Sequence, residues 1–204
     1  MYTIIEDCSP FYIRFSFPGL NEIIEYVAGQ FKKENVTTRR LSGYLHNNFN
    51  LDIASQIVSM LPMSKEYEFE VDRVAVFETI PKRGSGIHKD GANRYVSFNI
   101  PIEINDDKCI TSWYADSTFE GMEVTGLPYV RNVVQCNTYS NYDYIRDYPT
   151  IKTMIAKPGE MVIFNTDIYH SWDNKDSDQP RKLLTLRVVD NPTFDSVKRT
   201  MFNL

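Results

Sequence analysis

Cysteine and histidine are both scarce in this chain, with three of each. Cys8, Cys109 and Cys136 are odd in number and show no Cys-x-x-Cys spacing, which argues against a disulfide framework or a thiolate zinc site. The expectation is three reduced thiols in a cytoplasmic protein. No apolar run approaches the roughly 20 residues needed to span a bilayer. The opening MYTIIEDCSP lacks the basic, apolar and small-residue succession of a secretory signal. Positive charge is not in excess either: 22 Lys and Arg stand against 27 Asp and Glu, a net charge of −5. No electrostatic footprint for nucleic acid or for an anionic membrane is therefore expected. Internal repeats and low-complexity linkers are missing too. What remains, 204 residues that are 42% hydrophobic and 24% charged, reads as one structural domain with a real core.

The periodicity divides that domain. Leu20, Ile23, Ile24, Val27 and Phe31 fall on one face of a helix. A second helix is predicted over Leu51–Leu61, capped by Asn50, stopped by Pro62, with Ile53, Ile57, Val58 and Leu61 inward. Residues 1–66 thus form a mixed, helical support region that needs a sheet to pack on. From about Glu68 short β-branched and aromatic segments alternate with turns: Val71–Ile80, Tyr95–Ile104, Thr111–Tyr114, Tyr129–Gln135, Thr150–Ala156, Glu160–Phe164 and Lys182–Val189. Many short strands at this spacing predict an antiparallel sandwich or jelly roll over residues 67–190. Residues 191–204 return as a tail, with a short helix through Phe194, Val197 and Met201.

Two of the three histidines stand beside strand-like segments, in Ile87-His88-Lys89-Asp90-Gly91 and in Tyr169-His170-Ser171. Residues two apart on an extended chain point to the same side, so His88 and Asp90 can face one ion. Gly86 and Gly91 relieve crowding around them. His170 comes from a different part of the fold, after the Pro158-Gly159 turn and the strand it introduces. Two imidazoles and one carboxylate can occupy one face of an iron(II) or manganese ion and leave the other face open. A His-x-Asp pair alone is common by chance, and an isolated histidine is more often a structural residue. The polar turn SWDNKDSDQP and the strand Arg181-Lys182-Leu183-Leu184-Thr185-Leu186-Arg187-Val188 add weight. Arg181, Leu183, Thr185 and Arg187 share one face of it. A guanidinium on a barrel-lining face cannot be left unpaired, and a small dicarboxylate would suit it bidentately. Pairing with surface acids is the alternative for both arginines.

With His-x-Asp, a distal His and a following Arg in this order, the sequence from Val71 to Val189 resembles the iron(II)/2-oxoglutarate-dependent oxygenases. The likeness is greatest in GEMVIFNTDIYHSWDNKDSDQPRKLLTLRV, and it points to the prolyl-hydroxylase-like or aspartyl-asparaginyl-hydroxylase-like branch. It implies a double-stranded β-helix (a cupin-like jelly roll) with flanking helices. It also implies iron(II) on His88, Asp90 and His170, and 2-oxoglutarate anchored by Arg181. The spacing of Arg181 and Arg187 is similar to that in the DNA/RNA-repair dealkylases, where the second Arg sits near the metal-bound end. That branch's Asn-x-Tyr pair is replaced here by Phe77 and Thr79. RYVSFNIPIE resembles the strand lining the 2-oxoglutarate pocket of prolyl-hydroxylase-like members. Its polar set, Tyr95, Ser97 and Asn99, faces either the cosubstrate or solvent.

The resemblance implies a dioxygenase that uses iron(II), 2-oxoglutarate and O2, with ascorbate as reductant. It would hydroxylate a C–H bond of a peptidyl side chain or a small amino-acid-like molecule, releasing succinate and CO2. The rival expectation is a cupin-like metal-binding protein, either an enzyme independent of 2-oxoglutarate or a non-catalytic binding module. Substrate contacts are expected around Lys82–Ser85, Trp113-Tyr114, Ser117–Asp143 and Trp172. The tyrosine-rich stretch Asn137–Tyr148 is either an aromatic lid or a loop packed on its own rings. Trp113 and Trp172 read as packing residues.

Overall fold

The computed structural model describes residues 1–33, 36–41, 44–63, 69–90, 94–122, 124–127, 130–134 and 143–204. Gly91, Cys136 and the first half of the Asn137–Tyr148 stretch, with Tyr139 and Tyr142, lie outside the described residues. The chain opens with β1 (Thr3–Cys8), β2 (Tyr12–Ser16), helix α1 (Leu20–Lys32), β3 (Val36–Leu41), β4 (Tyr44–Phe49) and helix α2 (Leu51–Met60). There follow β5 (Val71–Thr79), β6 (Lys89–Asp90), β7 (Val96–Ile104), β8 (Ile110–Trp113), β9 (Val124–Leu127) and β10 (Val130–Val134). The last elements are β11 (Lys152–Met154), β12 (Met161–Asn165), β13 (His170–Asp173), β14 (Arg181–Val188) and helix α3 (Phe194–Phe202).

The strands form an eight-stranded sheet in the order β1-β2-β12-β7-β14-β5-β4-β3 and two three-stranded sheets, β6-β10-β9 and β11-β8-β13. Every pairing between them is antiparallel. The topology is that of a jelly roll, as the strand pattern predicts. The helices follow the sequence too. Asn50 accepts a 2.9 Å bond from the Ile53 amide and so caps α2. Thr193 accepts from the Ser196 amide and caps α3, which buries Phe194, Val197 and Met201.

Alternation along the large sheet sends its two faces to different tasks. On the outer face Ile13, Phe15, Val74, Val76, Phe98, Ile100, Ile163, Leu184 and Leu186 join the buried residues of the three helices in one apolar cluster. On the inner face Tyr12, Val162 and Phe164 pack against Trp113 and Met154 of the small β11-β8-β13 sheet. Trp113 is fully buried and stacks on Tyr12 at 5.3 Å, the packing role expected of it. Further along the inner face the residues turn polar, and that is where the candidate site lies.

Four strands before residue 50, together with β9 and β13, are additions to the periodicity reading. β1, β3 and β9 lie at sheet edges and β4 and β13 are short and polar, whereas β2 is an inner strand that buries Tyr12, Ile13 and Phe15. β1 runs exposed almost throughout, while VTTRRL, YLHNNF and HSWD carry few apolar residues. A strand at a sheet edge buries too little on either face to print a period of two.

Candidate metal centre

His88 and His170 are brought together by backbone pairing. The amide of each donates to the carbonyl of the other, at 3.0 and 2.9 Å, closing an antiparallel bridge. The same ladder starts earlier, where Gly84 pairs with Asp173 and Ser85 exchanges bonds with Trp172. A Cβ at Gly84 would stand 3.1 Å from the Trp172 carbonyl oxygen, so the close approach there needs glycine. Gly86, two residues further on, supplies a carbonyl to the site.

That carbonyl accepts from Nδ1 of His88 at 2.7 Å, and the Ile168 carbonyl accepts from Nδ1 of His170 at 2.8 Å. A carbonyl can only accept, so in both rings the proton sits on Nδ1 and Nε2 is left with its lone pair. This is the arrangement that orients metal-binding imidazoles. Both Nε2 atoms point to Asp90 Oδ1, at 3.7 Å from His88 and 3.8 Å from His170. The ligand atoms of His88, Asp90 and His170 all lie within 4.8 Å of one another. His170 is buried, which together with the nearby His88 holds its imidazole well below the ordinary value. It is neutral at pH 7, as a ligand must be. Asp90 is the more open member, with its side chain 27% exposed against 8% for His170.

Arg181 begins β14 on the inner face and is 5% exposed. Its backbone is locked to the buried Thr79, whose hydroxyl accepts from the Arg181 amide and donates to its carbonyl. Its Nε and Nη1 are shielded from solvent and have no hydrogen-bond partner. Among the described residues Arg181 makes no ion pair. Cys109 lies within electrostatic reach of both Arg181 and Asp173, and Asp173 is three residues along β13 from His170.

The other residues expected at the site are also on the inner face. Asn99 Oδ1 accepts from Thr185 at 2.8 Å and from Ser97 at 3.3 Å, which leaves the Asn99 amide NH2 to donate elsewhere. Ser97 is buried and Arg187 half-buried, and both line a small cavity that reaches Asp90. Ser97 and Asn99 of RYVSFNIPIE thus face the interior, not bulk solvent. Tyr144 and Tyr148 pack with Phe119 and Tyr169, and the Tyr144 hydroxyl accepts from the Ile87 amide, bracing the chain one residue before His88. Sequence reasoning passed over Arg73 and Arg94, which line the same cavity. Alternation in VDRVAVFET could have placed Arg73 inward, because it shares a face with Ala75, Phe77 and Thr79.

No protein-family model matches the sequence, and no curated protein is similar to it in sequence. Solved structures do resemble the fold. The epimerase SnoN, in complex with Fe3+, alpha ketoglutarate and nogalamycin RO, superposes with a TM-score of 0.57 at 12% identity, covering 86% of this chain and 77% of SnoN. HygX from Streptomyces hygroscopicus, with nickel, 2-oxoglutarate and hygromycin B bound, gives 0.53 at 10% identity over 86% of this chain and 81% of HygX. An oxidoreductase of the 2OG-Fe(II) oxygenase family from Burkholderia pseudomallei gives 0.51 at 11% identity, over 79% and 76% of the two chains. At such identities the likeness establishes a shared fold, and residue roles must come from the geometry of this chain.

Proposed function

We propose that the protein is a non-haem iron(II)- and 2-oxoglutarate-dependent oxygenase, with His88, Asp90 and His170 holding the metal and Arg181 the far carboxylate of the cosubstrate. The observation that carries this reading is the buried guanidinium of Arg181, two of whose nitrogens lack a partner. An isolated buried charge costs several kcal/mol, roughly, unless something pairs with it. Here the missing partner is an anion that reaches the inner face beside the metal ligands. Two imidazole nitrogens and a carboxylate oxygen, with no thiolate among them, suit a divalent cation and favour iron or manganese over a structural zinc site.

Bound there, iron(II) with 2-oxoglutarate supplies the oxidant, drawing on O2 and releasing succinate and CO2, with ascorbate as reductant for idle turnover. The protein's part is positioning and exclusion of water. The Gly86 and Ile168 carbonyls fix both rings with Nε2 forward. Arg181 would fix the cosubstrate's remote end, held in turn by Thr79. Asn99 would line the wall near its metal-bound end. Phe164 packs edge-on against the His170 ring at 4.9 Å and keeps water from its inner side.

The outcome of that chemistry would be hydroxylation of an unactivated C–H bond on a small amino-acid-like molecule or a peptidyl side chain. The neighbours solved with nogalamycin RO and hygromycin B support a small molecule. The acidic composition gives no reason to expect nucleic acid or a membrane as partner, and no helix among the described residues is long and apolar enough to cross one. The test is aerobic incubation with iron(II), ascorbate and labelled 2-oxoglutarate. Succinate should form with wild type and fall to background with folded His170→Ala and Arg181→Ala. A cupin-like metalloprotein that does not use 2-oxoglutarate would instead be indifferent to Arg181→Ala.

A further inference from the structure

A second concentration of positive charge, with Arg73 exposed and Arg94 and Arg187 half-buried, lies toward the other end of the β5–β14 pair from Arg181. A cavity of about 60 Å³ is lined by Arg73, Arg94, Arg187, Phe77, Ser97 and Asp90, among others. That is room for the equivalent of about two water molecules, the scale of an oxyanion. Arg73 and Arg187 stand directly opposite each other in the β5–β14 ladder. Like charges in that relation repel and destabilise a sheet. No ion pair to Arg73 exists among the described residues, although the chain as a whole carries a net charge of −5. Next to it His46 stacks on Phe77 at 4.8 Å. Burial, Arg73 and Arg39 together hold the His46 imidazole below its ordinary value, a sign of the same positive field.

The cosubstrate does not account for this cluster. Arg73 and Thr79, the residue opposite Arg181, are six positions apart on β5, roughly 20 Å at the usual strand rise. A five-carbon dicarboxylate anchored at Arg181 and chelated at the metal has no free carboxylate left for Arg73. Asp90, the only acid among the described residues that line the cavity, is itself a proposed metal ligand.

We propose that this cavity recognises an acidic group of the prime substrate, a carboxylate or a phosphate on a small molecule. It is gripped by Arg73 and Arg187 across the strand pair, with Arg94 on a third side. The inference rests on the oxygenase reading for what the bound molecule is for, though not for the binding itself. Two opposed guanidiniums form a clamp for an oxyanion, since each can present paired N–H donors. Because Asp90 forms part of the wall, the acidic group would be seated at the edge of the metal centre. The substrate's reacting carbon would then lie within a few bonds of its anionic end, and neutral analogues would be poor substrates.

Calorimetry tests this with inorganic phosphate in one arm and acetate in the other. Each is titrated into metal-free protein and into anaerobic protein loaded with iron(II) and saturating 2-oxoglutarate. The expectation is one oxyanion per chain in the loaded protein, with Arg73→Gln weakening it by about tenfold or more and Arg73→Lys restoring part of the loss. The arm that binds more tightly names the acid. Arg73→Gln should leave the visible charge-transfer band of the iron(II)–2-oxoglutarate chelate unchanged. Equal affinity in wild type and Arg73→Gln, or no binding of either anion, overturns the proposal. Absence of the band in wild type, with Arg73-dependent anion binding intact, would overturn the oxygenase reading and leave this cavity an oxyanion site.

Discussion

Two arginines on the inner face of the same sheet sit in opposite electrostatic situations. Arg14, at the β1-β2-β12 end, bonds Glu6 at 2.8 Å and, through Nε at 2.8 Å, Glu160. Glu160 in turn accepts from the Lys157 amide and shapes the Pro158-Gly159 turn. Arg181, at the β14-β5 end, is more deeply buried than Arg14 and, among the described residues, pairs with no carboxylate. Arg14 is a charge that the chain has neutralised for itself, so its role is to hold strands and a turn in place. Arg181 is a charge left for something that arrives. The difference supports the proposed binding role of Arg181 without reference to any relative.

The largest effect should come from breaking the satisfied end. Arg14→Met strands Glu160, whose side chain is 3% exposed, and removing one partner of such a buried pair costs about 3–5 kcal/mol. Urea unfolding should read that loss. The opposite result is expected at the other end: Arg181→Met removes an unpaired buried charge and should leave stability equal to wild type or raise it by about 1 kcal/mol or more. Leu184→Ala controls for position on β14. It lies on the outer face, fully buried, and should lose about 2–5 kcal/mol with 2-oxoglutarate affinity unchanged.

Ligand linkage sharpens the contrast. At 100 times its dissociation constant, 2-oxoglutarate with a divalent metal should stabilise wild type by about 2.7 kcal/mol, seen as a rise in Tm. Arg181→Met should show little of that rise.

The smallest effect concerns the self-neutralised end at low pH. Burial pushes the Asp7 carboxyl upward, but Lys198 at 2.7 Å and Ser9 outweigh it and hold the group below its ordinary value. Lys198 belongs to α3, so this pair ties the C-terminal helix to the first hairpin. A depressed carboxyl stabilises the fold above its unfolded pKa, and that contribution is lost as the pH falls through the folded value. Lys198→Met should therefore cost under about 1 kcal/mol at neutral pH and flatten the acid side of the stability profile, as followed by urea midpoints across pH.

Much of this arrangement could be read from the sequence, for reasons tied to particular residues. β5, β7, β12 and β14 bury one face against helices, so Val74, Val76, Phe98, Ile100, Leu184 and Leu186 print a clean period of two. The helices announced themselves through Asn50, Pro62 and the spacing of Phe194, Val197 and Met201. His88, Asp90, His170 and Arg181 stood out because histidine is scarce and an inward arginine is expensive. Arg73 and Arg94 did not stand out. Their significance depends on a cross-strand register, Arg73 opposite Arg187, and register is not written in any one segment. The edge strand VTTRRL and its polar neighbour YLHNNF were invisible for a related reason, since they carry too few apolar residues to show a face. Arg14 could not be told from Arg181 either, because the partner that distinguishes it, Glu160, lies far along the chain.

The most direct test of the central claim is an anaerobic titration of iron(II)-loaded protein with 2-oxoglutarate, followed by visible absorption in wild type, His170→Ala and Arg181→Met. The account predicts the charge-transfer band of an iron–2-oxo acid chelate in wild type, its loss in His170→Ala, and a markedly higher 2-oxoglutarate requirement in Arg181→Met. A folded wild type that gives no band, or an Arg181→Met protein that titrates like wild type, would contradict it.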